Sequence, residues 1–439
     1  MMNKLNIFNP PLMLITSFIL VILIGSLLLT LPWAVKSGEP DFITSLFTAA
    51  SATCVTGLVV ADTASHWTSF GHVVLLILMQ IGGLGVMTFV TFLAVLMGRN
   101  LNLKQKIILK NALNRSSFDS LAKILKYILA FSLIAETLGA LVLFLHWISP
   151  MGVSKAAWYA VFHAISAFNN GGFDLFGNFQ SLQGFIADPI VNLTIALLFI
   201  IGSLGFLVIY ELLTWRKERS LSLHTRVVLT GTLILIFAGA VMVFMLEYNN
   251  TFQLLNSSQK GTASILLSAT RTAGFSTIDM SQARIPTQIF MILLMFIGGA
   301  PGSTAGGIKV TTFVILFAAM ISVFRNKDDV EIWRHRLSPK DTMRALAIVL
   351  PAVLLIFTDV FILSFFHHDF IKVLFEVVSA TSTVGLSLGL TQELGLIGKL
   401  VIIFTMFVGR LGPITIGYAL AYGPQSPDIR YPKGEIMLG

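Results

Sequence analysis

Long apolar runs, four of them wholly uncharged, alternate along this chain with shorter apolar stretches and with short basic connections. Eight runs (11–35, 73–97, 127–147, 190–210, 227–246, 285–324, 345–366 and 400–422) hold the roughly 20 mostly apolar residues that a membrane-crossing helix needs. They fall into pairs. Inside each pair the connection carries a shorter apolar stretch: 41–53, 154–168, 260–270 and 371–381. At about 1.5 Å per residue such stretches reach only about 16–23 Å, too little for about 30 Å of hydrocarbon, and predict half-crossing helices. The connections between pairs, 98–126, 214–226 and 325–344, are basic instead.

Composition agrees with a polytopic membrane protein. Of 439 residues 55% are hydrophobic and 11% charged, and an average soluble domain carries about 25% charge. A water-facing surface cannot be covered so sparsely, which excludes a soluble enzyme. The apolar run at 11–35 is too long for a signal peptide and lacks an A-x-A site, so it reads as a span. The net charge of +8 is distributed by side: 20 of the 29 Lys and Arg lie in the N-terminus, the three basic connections and the tail, against six on the other face. That bias predicts a multi-pass protein of the cell membrane with both termini in the cytoplasm. The outer face collects acidic residues, among them Asp41, Asp62, Asp174, Asp188, Asp279 and Glu393, which would concentrate cations there. One cysteine, Cys54, makes neither an internal disulfide nor a cysteine metal cluster.

A fourfold internal repeat decides the architecture. The dipeptide Ser-Ala occurs four times, each time at the end of a half-helix and each time with a glycine six residues after the serine: SATCVTGL from Ser51, SAFNNGGF from Ser166, SATRTAGF from Ser268 and SATSTVGL from Ser379. At ordinary residue frequencies one such match arises once in roughly 3,000 positions, so four in register with four helix pairs are not chance. A second glycine site (Gly82-Gly83, Gly202-Ser203, Gly298-Gly299, Gly409-Arg410) follows each of Gly57, Gly172, Gly274 and Gly385 at 24–30 residues. The predicted fold is all-α: helix, half-helix, extended loop and broken or closely packed helix, four times over. The units are 1–97, 98–213, 214–324 and 325–422, followed by a tail at 423–439. Four extended loops meeting on one axis would offer carbonyl oxygens in place of an alkali cation's water shell. The half-helices would point their negative C-terminal ends at the space beneath.

On these motifs, with the tail IRYPKGEIMLG and the absence of an extra N-terminal helix pair, the chain resembles the superfamily of Trk, Ktr and plant HKT potassium transporters, the Ktr membrane subunit most of all. The resemblance implies eight transmembrane helices and four re-entrant pore helices around a pseudo-fourfold, potassium-channel-like pore. It also implies a homodimer with one pore per protomer, potassium uptake that is often sodium-stimulated, and a cytosolic RCK-type regulator ring binding ATP or ADP. In that family the carbonyls of the filter glycine and of the two residues before it face the ions. Carried over, these are Val55, Thr56 and Gly57; Asn170, Gly171 and Gly172; Thr272, Ala273 and Gly274; and Thr383, Val384 and Gly385. The stretch Thr383-Val384-Gly385 is the nearest to the TVGYG filter of potassium channels.

The third repeat departs from its siblings. Residues 298–309 read GGAPGSTAGGIK, and five glycines with a proline disfavour helix by about 1 and 3 kcal/mol each. A flexible loop at membrane depth is predicted. The family resemblance makes it a gate that obstructs the pore through Gly298, Gly299, Gly302, Ser303, Thr304, Gly306, Gly307 and Lys309. Ile308 separates Gly307 from Lys309, which excludes a phosphate-binding P-loop. Arg410 stands where the siblings have Gly83, Ser203 and Gly299. It reads either as a fixed charge under the filter that helps hold the loop, or as an ion-pair partner of Asp359 or Glu136.

Three function classes were weighed. The translocating pore takes K+ as cargo, with Na+ as a second ion, no organic cofactor and no nucleic acid. A secondary symporter would use Glu136 and Asp359 as carriers, but parallel repeats argue against the inverted repeats common in that class. A membrane-embedded enzyme would need clustered histidines or carboxylates, and the eight histidines are scattered.

Overall fold

The computed structural model describes residues 10–36, 39–85, 121–412, 415 and 417. The tail at 423–439, most of the basic connection at 98–126 and the distal ends of the runs at 73–97 and 400–422 lie outside the described residues. The described chain is helical apart from a two-residue hairpin, Glu331–Ile332 against His335–Arg336, in the connection before the fourth repeat.

Each repeat opens with an outer helix: Pro10–Leu29, Leu121–Met151, Leu223–Glu247 and Pro339–Ser364. Among the described residues these four are the single helices long and apolar enough to cross a membrane. Their lipid-side positions are bare: Leu27, Leu133, Leu233, Phe237, Leu354 and Phe357 are all more than half exposed. Exposed apolar side chains in such density fit a bilayer and not water.

The half-helices are Phe42–Thr53, Val153–Phe168, Ser257–Ala269 and Phe370–Thr381, within three residues of the predicted bounds. Three of the four starts are capped by side chains. Asp41 accepts from the amides of Ile43 and Thr44, Asp369 from that of Lys372, and Asn256 forms a capping box with Gln259. Each cap contributes about 1 kcal/mol and fixes where the helix begins.

The inner helices, predicted to be broken or closely packed at their glycines, are Ser69–Leu84, Pro189–Ser203, Ile285–Phe296 and Leu396–Leu411, of 12–16 residues, with the distal ends of the first and fourth runs outside the described residues. Three break at one equivalent place, three residues beyond the second glycine, where Gly85, Gly205 and Gly412 take φ of +84°, +87° and +82°. Such φ values are closed to most residues with a Cβ. In the second repeat the chain turns by 98° there and continues as Phe206–Glu218. In the third, residues 297–309 intervene before Val310–Phe324.

The repeats pack in a ring. One buried cluster joins Phe47 and Cys54 of the first repeat to Val373 and Met406 of the fourth. A second joins Ala49 and Met79 to Phe162 and Phe173 of the second. A third joins Phe168 and Phe199 to Leu266 and Phe275 of the third, and a fourth joins Leu294 to Phe375 and Val384. Sequential neighbours therefore touch, and the last touches the first.

Candidate functional site: four loops at one centre

The Ser-Ala signature works through hydrogen bonds. In three repeats the serine carbonyl, still at the end of its half-helix, accepts the amide five residues on: Thr56 to Ser51 at 2.8 Å, Gly171 to Ser166 at 2.6 Å and Val384 to Ser379 at 2.8 Å. The Ser51 and Ser379 hydroxyls then accept the amides of Gly57 at 3.1 Å and Gly385 at 3.0 Å. The Ser166 hydroxyl instead donates to the Phe173 carbonyl at 2.8 Å. The alanines are buried where the chain doubles back. The third repeat departs: Ser268 donates to the outer helix at Ile236, and Gly274 turns onto the Thr270 carbonyl.

The turned-back loops carry left-handed residues at fixed places. Val55, Asn170 and Thr383 have φ of +57°, +59° and +48°, and the four glycines range from +70° to +99°. The first sites are strained for residues with a Cβ, and the closure over-determines them. Glycine is the residue that fits the last sites, because the loops crowd one another. A Cβ on Gly57 would lie 2.9 Å from the Cα of Gly172, and one on Gly172 3.6 Å from that of Gly274. One on Gly274 would lie 3.1 Å from the Cα of Gly385, and one on Gly385 3.0 Å from that of Gly57. The ring closes. Each of those positions is also within 2.9 Å of a carbonyl oxygen of the adjacent loop, from Gly171, Ala273, Val384 and Thr56 in turn. Of the twelve sequence-predicted loop residues, Thr56, Gly57, Gly171, Gly172, Ala273, Gly274, Val384 and Gly385 meet across loops, and the Thr272 carbonyl accepts the Asn170 side-chain amide at 3.0 Å and so has one lone pair engaged.

The second glycines have a different role from the first. A Cβ on Gly82, Gly202 or Gly409 would fall 1.9–2.1 Å from the carbonyl oxygen that ends the half-helix of the same repeat (Thr53, Phe168 or Thr381). They let the inner helix lie against the half-helix terminus, as small residues do in membranes. In the third repeat the corresponding Gly298 faces the Gly306 carbonyl instead. There Arg271 takes over, donating its guanidinium to the carbonyls of Ile297 and Gly298. Sequence reading passed over Arg271 as a site residue, although a charge inside one of four otherwise neutral signatures was the available signal.

Residues 297–309 form a compact turn tied at both ends and not a loose strand. Gly298 donates to Ile308 at 2.7 Å, Val310 to Gly299 at 3.0 Å, Ala300 to Ser203 at 2.9 Å and Thr304 to Gly202 at 3.2 Å. The turn lies against the loops. The Thr304 hydroxyl donates to Asn170 Oδ1 at 2.7 Å, while a Cβ on Gly306 would meet Thr383 Oγ1 at 1.9 Å. A segment of the third repeat thus bridges the loops of the second and fourth. Lys309 donates to Ala305 at 2.7 Å. Arg410 donates to the carbonyls of Thr304, Gly82 and Gly83 and so links this turn to the first repeat. The expected alternative, an ion pair with Asp359 or Glu136, is not formed. Asp359 accepts the Thr405 hydroxyl at 2.6 Å, and Glu136 accepts the Asn169 amide at 3.2 Å.

On the other side the loops open into a cavity of about 540 Å³, lined by the four glycines and by Asp174 and Asp279. Burial raises the Asp174 carboxyl to about 6, against the pull of the Phe176 amide, and the neighbouring Asp62 pushes the same way.

Comparison with known proteins agrees with this arrangement. Residues 3–426 match the family described as TrkH, cation transport protein. The Ktr system potassium uptake protein B of Bacillus subtilis is 41% identical, over 98% of this chain and 97% of that protein. Its namesake from Vibrio alginolyticus is 40% identical over 98% and 95%, and the potassium/sodium uptake protein NtpJ of Enterococcus hirae 36% over 98% and 97%. The crystal structure of the potassium transporter TrkH from Vibrio parahaemolyticus superposes with a TM-score of 0.74 at 17% identity, covering 96% of this chain and 86% of that one, a likeness of fold. With an almost full-length family match and curated relatives near 40% identity, the chain belongs to the TrkH cation transport family of membrane proteins.

Proposed function

We propose that the protein takes up K+ through a pore whose narrowest part is the ring of four glycine-ended loops. The observation that carries this reading is the closed circuit of Gly57, Gly172, Gly274 and Gly385, with carbonyl oxygens of adjacent loops packed against each glycine. Backbone carbonyls at such density replace a water shell without adding a fixed charge, which lets a monovalent cation enter and leave. The half-helices end immediately before the ring, and the negative ends of their dipoles favour positive charge near it. On this reading the chain is four repeats of outer helix, pore helix and inner helix, eight crossings in all, with both termini in the cytoplasm. Residues 55–57, 170–172, 272–274 and 383–385 line the ion path, and the turn at 298–309 with Arg410 is its gate. Sodium stimulation, pairing with a second copy and control by a nucleotide-binding cytosolic ring belong to the same proposal. The relatives named as parts of a Ktr system support a partner subunit.

The symporter alternative has less support. Glu136 and Asp359 each receive a hydrogen bond from a neutral neighbour, as packing carboxylates in a membrane do. The test is growth at micromolar K+ of a host lacking its own potassium uptake, with and without a co-expressed regulator, alongside rubidium uptake into proteoliposomes. The reading expects rescue and uptake that follows the electrochemical gradient and is competed by K+. Rubidium uptake that persists in saturating K+, or that needs a proton gradient, would overturn it.

A further inference from the structure

Three residues before the Ser-Ala serine the four repeats carry Thr48, His163, Ile265 and Glu376, of which all but Ile265 are buried. Thr48 donates to its own helix at the Thr44 carbonyl, and Ile265 is apolar. The other two reach the strand that leaves the loop toward the outer cavity. His163 holds the Tyr159 carbonyl through Nδ1 and accepts the Leu175 amide at Nε2, 3.3 Å away. Glu376 does more. Wholly buried, it accepts the Ser387 hydroxyl on Oε2 at 2.6 Å and the Thr391 hydroxyl on Oε1. Ser387 lies two residues past Gly385, and its own oxygen accepts the Gly389 amide at 3.0 Å.

The departing strands of the first and third repeats have no such brace from their own half-helices and are held by their neighbours. Gln392, next to Thr391, donates to the Val59 carbonyl at 3.3 Å. The Leu182 amide and the Ser181 hydroxyl take the two sides of Ser276, at 2.9 and 3.2 Å. Through Thr391 and Gln392, Glu376 thus stands behind two of the four strands. A carboxylate is a costly group to bury unless it accepts hydrogen bonds, and here both its oxygens do.

We propose that Glu376 is a positioning residue: by fixing Ser387 and Thr391 it holds the outer ends of the fourth and first loops and sets how sharply the ring discriminates K+ from Na+. The inference rests on the pore reading above, since discrimination by carbonyls depends on how firmly they are held.

The full-length protein in proteoliposomes supplies the test, with rubidium and sodium uptake measured on the same preparation. Glu376→Ala is expected to lower the rubidium-to-sodium flux ratio about tenfold, the scale of losing hydrogen bonds to a charged group. Ser387→Ala and Thr391→Val should each lower it less. Combining Ser387→Ala with Glu376→Ala should add nothing, because both remove the same contact. Glu376→Gln keeps the size and one accepting oxygen and should restore most of the ratio. If Glu376→Ala does not reach the membrane, the Ser387→Ala/Thr391→Val double variant carries the test in the presence of the native glutamate. A ratio unchanged in these variants, with flux falling only in step with protein amount, overturns the bracing role and leaves the pore reading standing. Wild-type protein without K+-competed rubidium uptake overturns both.

Discussion

Removing Arg410 should speed cation passage. Its guanidinium binds Thr304 at the tip of the bridging turn and Gly82 and Gly83 on the inner helix of the first repeat. Of the three Arg410 bonds only the one to Thr304 reaches the turn, so that bond adds to the ties that bias the turn toward its place against the loops. A hydrogen bond to a charged group contributes about 1.5–3 kcal/mol. If the bond exists only while the turn obstructs the path, its loss multiplies the open population by roughly 10 to 100. Radioactive rubidium uptake into proteoliposomes, per unit of folded protein, should rise in that range for Arg410→Ala while K+/Na+ preference stays as in the wild type. Arg410→Lys separates two causes. It keeps the charge but not the fork that spans Thr304 and Gly82, so a tie predicts raised uptake and a purely electrostatic barrier predicts wild-type uptake. Uptake at or below the wild-type level in Arg410→Ala, at equal protein, would refute the reasoning.

Other perturbations test other parts of the structure. Deleting Gly302 and Ser303 shortens the turn without touching the Arg410 contacts and should raise rubidium flux at unchanged ion preference; flux at the wild-type level would remove the turn from the gate. Gly385→Ala would force a Cβ to within 2.1 Å of the Thr56 carbonyl at a φ of +99° and should abolish growth rescue at low K+ while the protein still reaches the membrane; retained selective uptake would contradict the ring. The Asp174 carboxyl, raised from 3.8 to about 6, is ionised at neutral pH and loses its charge as external pH falls through 6. Rubidium uptake at low concentration should then drop roughly twofold, about 0.5 kcal/mol for a unit charge acting through water, and Asp174→Asn should flatten that profile. The stability sign is opposite: with the native value above the unfolded one, this group's contribution is present below about pH 4 and lost as pH rises to 6, so Asp174→Asn should also remove that decline in melting temperature.

Much of this arrangement was legible because repetition amplifies weak signals. One Ser-Ala pair followed by a glycine says little, but four in register located the half-helices to within three residues and the four glycines that close on one another. The proline and glycines of 298–309 announced an interruption for the same reason that helix propensity works at all. What escaped was set by contacts distant in sequence. The inner-helix breaks at Gly85, Gly205 and Gly412 stood in apolar runs where a glycine is ordinary, and only its three-residue offset from the second glycine distinguishes it. That the turn at 298–309 would be tied down and not loose depended on carbonyls of Gly202 and Ser203 about a hundred residues earlier. Arg410 offered a charge whose partner the sequence left open between the loop and a carboxylate, and the structure gives it backbone carbonyls, that of Thr304 in the loop among them.

A ring assembled from identical subunits must repeat every device at each corner. Here the corners are joined in one polypeptide, so each is free to differ, and the third spends its inner helix on a single crossbar anchored to the corners on either side. If the proposed gate holds, one crossbar suffices to span the aperture that four loops define, and one arginine suffices to latch it. Whatever moves Val310–Phe324, the helix that follows the crossbar, therefore has one lever to pull instead of four to synchronise.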